Sequence, residues 1–210
     1  MLRHKTLVIL AFAAAGFFVW ENFLAPPAGE IPLTAAAAKD LHAAPVQQDF
    51  KQTFSMKFHR GKMEFLAAYQ ITARVFSSKT YGLGKESELS PLDLALGWGA
   101  MADPAIITGL AISQSSRWWF YQWKGRELLS FEQTNLNSAN THIIPATGKI
   151  EKALKALRIG QIVTLRGYLV AYHEGDSDGG WWSWRSSMSR SDQDRGACEL
   201  MYVEAVTPYR

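Results

Sequence analysis

Between Leu66 and Phe76 the chain alternates, with Tyr69, Ile71, Ala73 and Val75 on one side and Ala68, Gln70, Thr72 and Arg74 on the other. That period of two predicts a strand with one buried face. Val163, Leu165, Gly167, Leu169 and Ala171 repeat the pattern, Trp182, Trp184, Ser186 and Met188 share a face of the next strand, and a last strand spans 197–206. Ile106 to Trp123 is β-like as well. Helical spacing is confined to two places. Ser90-Pro91-Leu92-Asp93 offers a capping serine, a proline at the first helical position and an acid that reaches back to the cap. Leu92, Ala95, Leu96, Gly99 and Ala100 then predict a short helix ending before Pro104. Thr147 caps the second helix, with Ile150, Ala153, Leu154 and Leu157 in helical register and Gly160 as its stop. Residues 77–84, 125–141 and 174–180 read as loops or turns, and His142 to Pro145 as a short extended piece. The sum is an α+β chain, mainly β, that predicts a small, partly open barrel with two short helices.

The N-terminus follows a different pattern. Arg3, His4 and Lys5 precede an apolar run from Thr6 to Trp20, and no further cation occurs before Lys39. That asymmetry predicts a membrane-targeting segment over residues 1–25, with the N-terminus cytoplasmic and the body of the chain across the membrane. The run of about 15 residues is roughly 22 Å long as a helix, between a signal-peptide core and a full span. Glu21 to Ala25 extend it, and Pro26-Pro27 makes a poor cleavage context, which favours a retained transmembrane anchor over a removed signal. The expected organisation is an anchor over 1–25, a Pro/Ala-rich linker over 26–53 and one folded domain over 54–210, in contact with the membrane through residues 6–25.

Charge and cysteine content narrow the chemistry. A net charge of +3 is too small to argue for nucleic acid. Its distribution leaves a basic face open, because Lys51, Lys57, Arg60, Lys62, Arg74, Lys79 and Lys85 are opposed over 51–85 only by Glu64. Such a face suits an acidic partner or simply a solvated surface. A single cysteine, Cys198, excludes an internal disulfide framework. The histidines are scattered without metal-ligand spacing, and no phosphate loop or cofactor motif occurs, so neither a metal nor a cofactor is expected.

The stretch Gly160-Gln161-Ile162-Val163-Thr164-Leu165-Arg166-Gly167-Tyr168-Leu169-Val170 resembles the strand openings of OB-fold proteins. Three further segments are similar to a family of uncharacterised bacterial envelope proteins: residues 140–145 (NTHIIP), 184–192 (WRSSMSRSD) and 196–199 (GACE). The resemblance covers roughly residues 65–206. It implies an OB-like domain on the outer side of the bacterial inner membrane, periplasmic or otherwise extracytoplasmic; in that location another envelope protein is the expected partner. It implies no activity.

The candidate residues are few. Cys198 and His142 are the pair for thiol chemistry, since a cysteine nucleophile needs a base in reach and an electropositive setting. The bland alternative is a small buried thiol at the start of an apolar strand. Arg185, Ser187, Arg190 and Asp192 sit in a polar segment between apolar strands. There, arginines with serine hydroxyls suit bidentate binding of a carboxylate or phosphate, or pair with the neighbouring aspartates instead. Asn140 and His142 lie together by alternation, as a binding pair with a general base or as partners for nearby backbone groups. Alternation also splits Trp118, Phe120 and Gln122 from Trp119, Tyr121 and Trp123. One row, with Trp119 and Tyr121 as candidates, is expected to be an exposed stacking platform unless the linker or residues 125–141 cover it. The leading expectation is a non-catalytic, membrane-tethered binding or assembly module. The rivals are a thiol or hydrolytic enzyme using Cys198 and His142, and a single-stranded nucleic-acid binder.

Overall fold

The computed structural model describes residues 40–175, 179–189 and 198–209. The expected anchor over 1–25 lies outside these residues, and no helix among the described residues is long and apolar enough to cross a membrane. The elements run β1 (Val46–Phe58), β2 (Gly61–Thr80), α1 (Lys85–Leu89), β3 (Leu92–Gly97), a 3₁₀ turn (Gly99–Ala102) and α2 (Pro104–Gly109). They continue with β4 (Leu110–Ser115), β5 (Trp118–Trp123), α3 (Phe131–Leu136), β6 (Ser138–Pro145), α4 (Gly148–Lys155), β7 (Ile162–Gly175), β8 (Trp181–Arg185) and β9 (Glu199–Pro208). Among the described residues the chain is mainly β with four short α-helices, of which only the one capped by Thr147 matches a helix that the spacing predicts.

Two long strands organise the sheet. β2 and β7 pair antiparallel from Lys62–His173 to Arg74–Ile162. One end of each continues the circuit: β2 pairs β3, β3 pairs β6, β6 lies parallel to β9, and β9 returns to β7. At their other ends β2 carries β1 and β7 carries β8, so the sheet closes on itself at one end and stays open at the other. The ring is filled by Tyr69, Ile71, Ala73 and Val75 of β2, Leu92, Leu94 and Leu96 of β3, Val163, Leu165 and Leu169 of β7, and Met201 and Val203 of β9. Leu154 and Leu157, from α4 and the residues just after it, pack into the same cluster. Thr147 caps that helix by accepting a hydrogen bond from the Ile150 N–H (3.2 Å), as its sequence predicts.

Close strand approach constrains one glycine. At the irregularity between Arg166 and Gly167, a Cβ on Gly167 would collide with the carbonyl oxygen of Tyr202 on β9. Backbone cannot yield there as a side chain would, so this position requires glycine.

Three expectations are corrected. Ser90 to Ala100 does not form the expected helix: Leu92–Gly97 is β3, fully buried along its length. Leu92, Leu94 and Leu96 hold strand spacing as well as Leu92, Ala95 and Leu96 hold helical spacing, and a segment covered on both faces follows burial rather than a cap signal. The helix of this region lies just upstream, at Lys85–Leu89. Residues 46–53, assigned to the linker, are strand: Val46 to Asp49 pair Gln70 to Ala67, so the folded part begins before residue 54. Residues 125–141 contain α3, whose Ser130 accepts a hydrogen bond from the Gln133 N–H while the Gln133 side chain accepts from the Ser130 N–H.

Candidate functional site

The outer face of the ring is apolar on both sides of a polar stretch. On one side Phe65, Tyr168, Val170, Tyr172, Leu200 and Tyr202 pack under Phe50, Phe54, Trp182 and Trp184. On the other, Phe76, Ala95, Met101, Ile106 and Leu110 pack under the β4–β5 hairpin. Between them the outward residues of β3 and β6 are Asp93, Asn140 and His142, all buried. Asp93 and His142 are cross-strand partners, which brings a carboxylate and an imidazole onto one face.

The hairpin supplies the group that covers them. Ser116 and Arg117 form its two-residue turn, both at positive φ (51° and 68°). Such a turn normally takes Asn-Gly, and holding a serine and an arginine left-handed costs on the order of 1 kcal/mol each. The strained backbone turns the Arg117 side chain back onto the barrel. Its Nη1 donates to Asp93 Oδ1 at 2.8 Å, its Nη2 to Ser87 Oγ at 3.4 Å, and Glu86 lies 3.7 Å from Nε. The guanidinium stacks on the Tyr81 ring at 3.8 Å and lies 5.4 Å from the Trp184 ring. Asn140 fastens the turn from below: its Nδ2 donates to the Arg117 carbonyl (2.9 Å) and its Oδ1 accepts from Gln114 Nε2 (2.8 Å).

His142 Nδ1 is 3.0 Å from the same Asp93 oxygen but out of line for a hydrogen bond, and its ring packs 4.8 Å from that of Trp184. Asp93 Oδ2 is buried with no hydrogen-bond partner. A carboxylate thus sits between an arginine and a histidine at zero exposure, with one oxygen still to be satisfied.

Beside this cluster lies a hollow of about 490 Å³. Arg117, His142, Trp184, Arg185 and Cys198 line it, and Glu86, Ser116, Trp118 and Ser183 complete its wall. Three of the sequence candidates therefore converge: His142, Arg185 and Cys198. Arg185 is more than half exposed, and its Nη1 lies 4.0 Å from the Glu64 carboxylate. Arg190 and Asp192 lie outside the described residues. Ser187 is corrected: it is buried and knit into the backbone, its N–H donating to the Cys198 carbonyl (3.0 Å) and its hydroxyl to the Ser189 carbonyl (2.9 Å). Asn140 is corrected likewise, since the hairpin occupies its amide.

Cys198 is half-buried at the foot of β9. Burial pushes its thiol up to about 12, the Glu199 and Asp93 carboxylates add to this, and Asn140 opposes it. A thiol so placed stays protonated at neutral pH and is a poor nucleophile.

The aromatic rows divide as alternation predicts, but the candidates fall on the covered row. Trp119, Tyr121 and Trp123 pack on the cluster around Phe76 and Met101, because the hairpin folds that face onto the barrel. Trp118 and Phe120 are the exposed pair, at 38% and 53%. Trp119 and Tyr121 also edge a second hollow of about 440 Å³, with Glu127 and Phe131 opposite.

Asp93, Arg117 and Trp118 are residues that sequence reasoning missed as site members. Asp93 was hidden by its reading as a helix-capping acid. For Arg117, the available signal was a short polar Ser-Ser-Arg between two β-like runs, which marks a tight hairpin tip. Among the described residues, no group of three or more His, Cys, Asp or Glu side chains is placed to hold a metal.

Fold and site together define a mainly β chain with a partly closed sheet and a polar, tryptophan-walled hollow on its outer face. Comparison with protein-family models, curated proteins and solved structures finds no match for this chain.

Proposed function

We propose that the protein is a membrane-tethered, non-catalytic binding module of the bacterial cell envelope. Its OB-like barrel would present the hollow between the β4–β5 turn and β8 to a ligand. The observation that carries this reading is the convergence of Arg117, His142, Trp184 and Arg185 on one concave surface. Side chains from three separate parts of the chain meet there, and Arg117 is held by a strained turn. Strain of that kind is characteristic of binding sites more than of plain packing. The OB-like reading is supported by the order of the five-strand circuit, the parallel β6–β9 pair and a helix between β6 and β7. Tethering is supported by the charge asymmetry around the apolar run of residues 6–20.

Two experiments test it. A reporter enzyme active only outside the cytoplasm, fused after Arg210, is expected to be active, and inactivity would overturn the proposed location. Full-length protein is expected to co-sediment with isolated envelope fragments, and Trp118→Ala/Arg185→Ala to lose that binding. Equal sedimentation of the two proteins would remove the hollow as the site.

The thiol-enzyme reading keeps one supporting observation, that Cys198 and His142 border the same hollow. It requires rapid alkylation of Cys198 in the folded protein, whereas the protonated thiol predicts labelling at least about a hundredfold slower than that of an exposed cysteine at pH 7.5. Rapid labelling would restore it.

A further inference from the structure

We propose that the ligand of this hollow is a glycan, of which one or two sugar rings enter between Trp118 and Trp184. The inference rests on the binding reading above and names the ligand class.

Three properties of the hollow point to a sugar. Its volume of about 490 Å³ lies within the range of small-ligand sites, and one or two rings would fill it. Two tryptophans line it from separate elements, Trp118 at the hairpin tip and Trp184 on β8. A tryptophan face is negative at its centre, so it attracts the partly positive C–H face of a sugar ring as it does an aromatic edge.

The lining charges are of both signs. Arg117 and Arg185 line the hollow together with Glu86, the Ser183 hydroxyl and the His142 imidazole. A polyanion such as nucleic acid or an acidic tail would meet Glu86 and, behind Arg117, the buried Asp93 carboxylate. Those negative charges cancel the attraction of the two arginines. Sugar hydroxyls donate and accept at once, so they match a wall that offers both, and vicinal hydroxyls suit the paired atoms of guanidinium and carboxylate. Arg117 is already fixed by Asp93, Ser87 and Tyr81, so little side-chain freedom is lost on binding.

The test is isothermal titration of full-length protein, held in a detergent without a sugar headgroup, against N-acetylchitotriose, cellotriose and maltotriose in turn. Saturable binding of at least one trisaccharide is expected, and the arm that binds identifies an amino-sugar, a β-glucan or an α-glucan source. Trp118→Ala is expected to weaken it about tenfold, which is 1.4 kcal/mol, and Arg185→Ala severalfold. Phe120→Ala, exposed on the same hairpin face but outside the hollow, should leave affinity unchanged. Trp118 is partly exposed at the tip of a turn, and an unchanged melting transition for Trp118→Ala shows that it folds. No heat with any of the three at roughly 10 mM, weaker than any useful site, overturns the glycan assignment. Equal loss from Phe120→Ala, or tight Trp118-dependent binding of a decathymidylate instead, also overturns it. If envelope sedimentation still depends on Trp118 and Arg185 while no trisaccharide binds, the glycan assignment falls and the binding module stands.

Discussion

The two faces of β3 and β6 are equally dry and oppositely built. Inward, Leu92, Leu94, Leu96, Ala139 and Ile143 meet apolar side chains from every strand of the ring. Outward, Asp93, Asn140 and His142 are closed off by the tip of one hairpin. Inward burial is non-directional, and it strengthens with each apolar atom removed from water. The outward face depends on a few directional contacts to Arg117 and Gln114 of the hairpin, each of which loses its value when a partner moves. The barrel thus owes its stability to one face and its chemical individuality to the other.

The largest effect should come from the inward face. Leu94 is fully buried in the ring, so Leu94→Ala leaves a cavity and is expected to destabilise the chain by about 3–4 kcal/mol. Denaturant midpoints measure this, with an unchanged slope if the native state stays intact. A loss below about 1 kcal/mol would mean that the ring is loosely packed and that the contrast between the faces is weaker than drawn.

A smaller but more specific effect is expected outside. Arg117→Met keeps much of the apolar stem and removes the charge, which leaves Asp93 buried without its cation at a cost of about 2–3 kcal/mol. Neutralising the orphan with Asp93→Asn in the same chain should recover at least about 1 kcal/mol of that loss. A double variant no more stable than Arg117→Met would show that the arginine acts through its stacking on Tyr81 rather than through the carboxylate. The inward leucines offer no such rescue, because their apolar contacts are non-directional.

This contrast also explains what the sequence made legible. The inward face obeys a period of two, so β2 and β7 could be read as strands from Tyr69–Val75 and Val163–Leu169. The single buried face expected of β2 is corrected, since Ala68, Gln70 and Thr72 on its other face are buried as well. α4 was readable from Thr147 and its apolar spacing, since cap and pattern agree there. β3 was not, because its apolar positions fit helical as well as strand spacing and the Ser-Pro-Leu-Asp opening mimics a helix start. Its aspartate was consequently placed at a cap instead of opposite His142. Arg185, His142 and Cys198 stood out by residue type alone. Their convergence depends on the β6–β9 and β7–β8 pairings, whose partners are far apart in sequence. Arg117 depends on a turn conformation that neither Ser116 nor Arg117 favours. The choice between the two aromatic rows was fixed by which side of the hairpin rests on Phe76 and Met101, and no local pattern encodes that.

The mildest way to separate the faces is acid. Glu174, near the end of β7, is sheltered from solvent, and burial pushes its carboxyl up. Hydrogen bonds from Tyr172 (2.9 Å), Lys85 and Arg60 outweigh that and hold it below the ordinary carboxylate range. Lys85 begins α1, which also carries Glu86 and Ser87, so this carboxylate ties down the helix that borders the hollow. A carboxyl whose folded value is depressed stabilises the protein above its unfolded value, and that contribution disappears as pH falls through the folded one. Acidification through and below the ordinary carboxylate range should therefore free α1 while the apolar cluster that fills the ring keeps its packing. Amide exchange followed against pH is expected to show α1 losing protection before β3 and β7, and Glu174→Gln to remove most of that difference. If α1 and the ring instead lose protection together at every pH, the two faces unfold as one unit and the hollow has no independent stability.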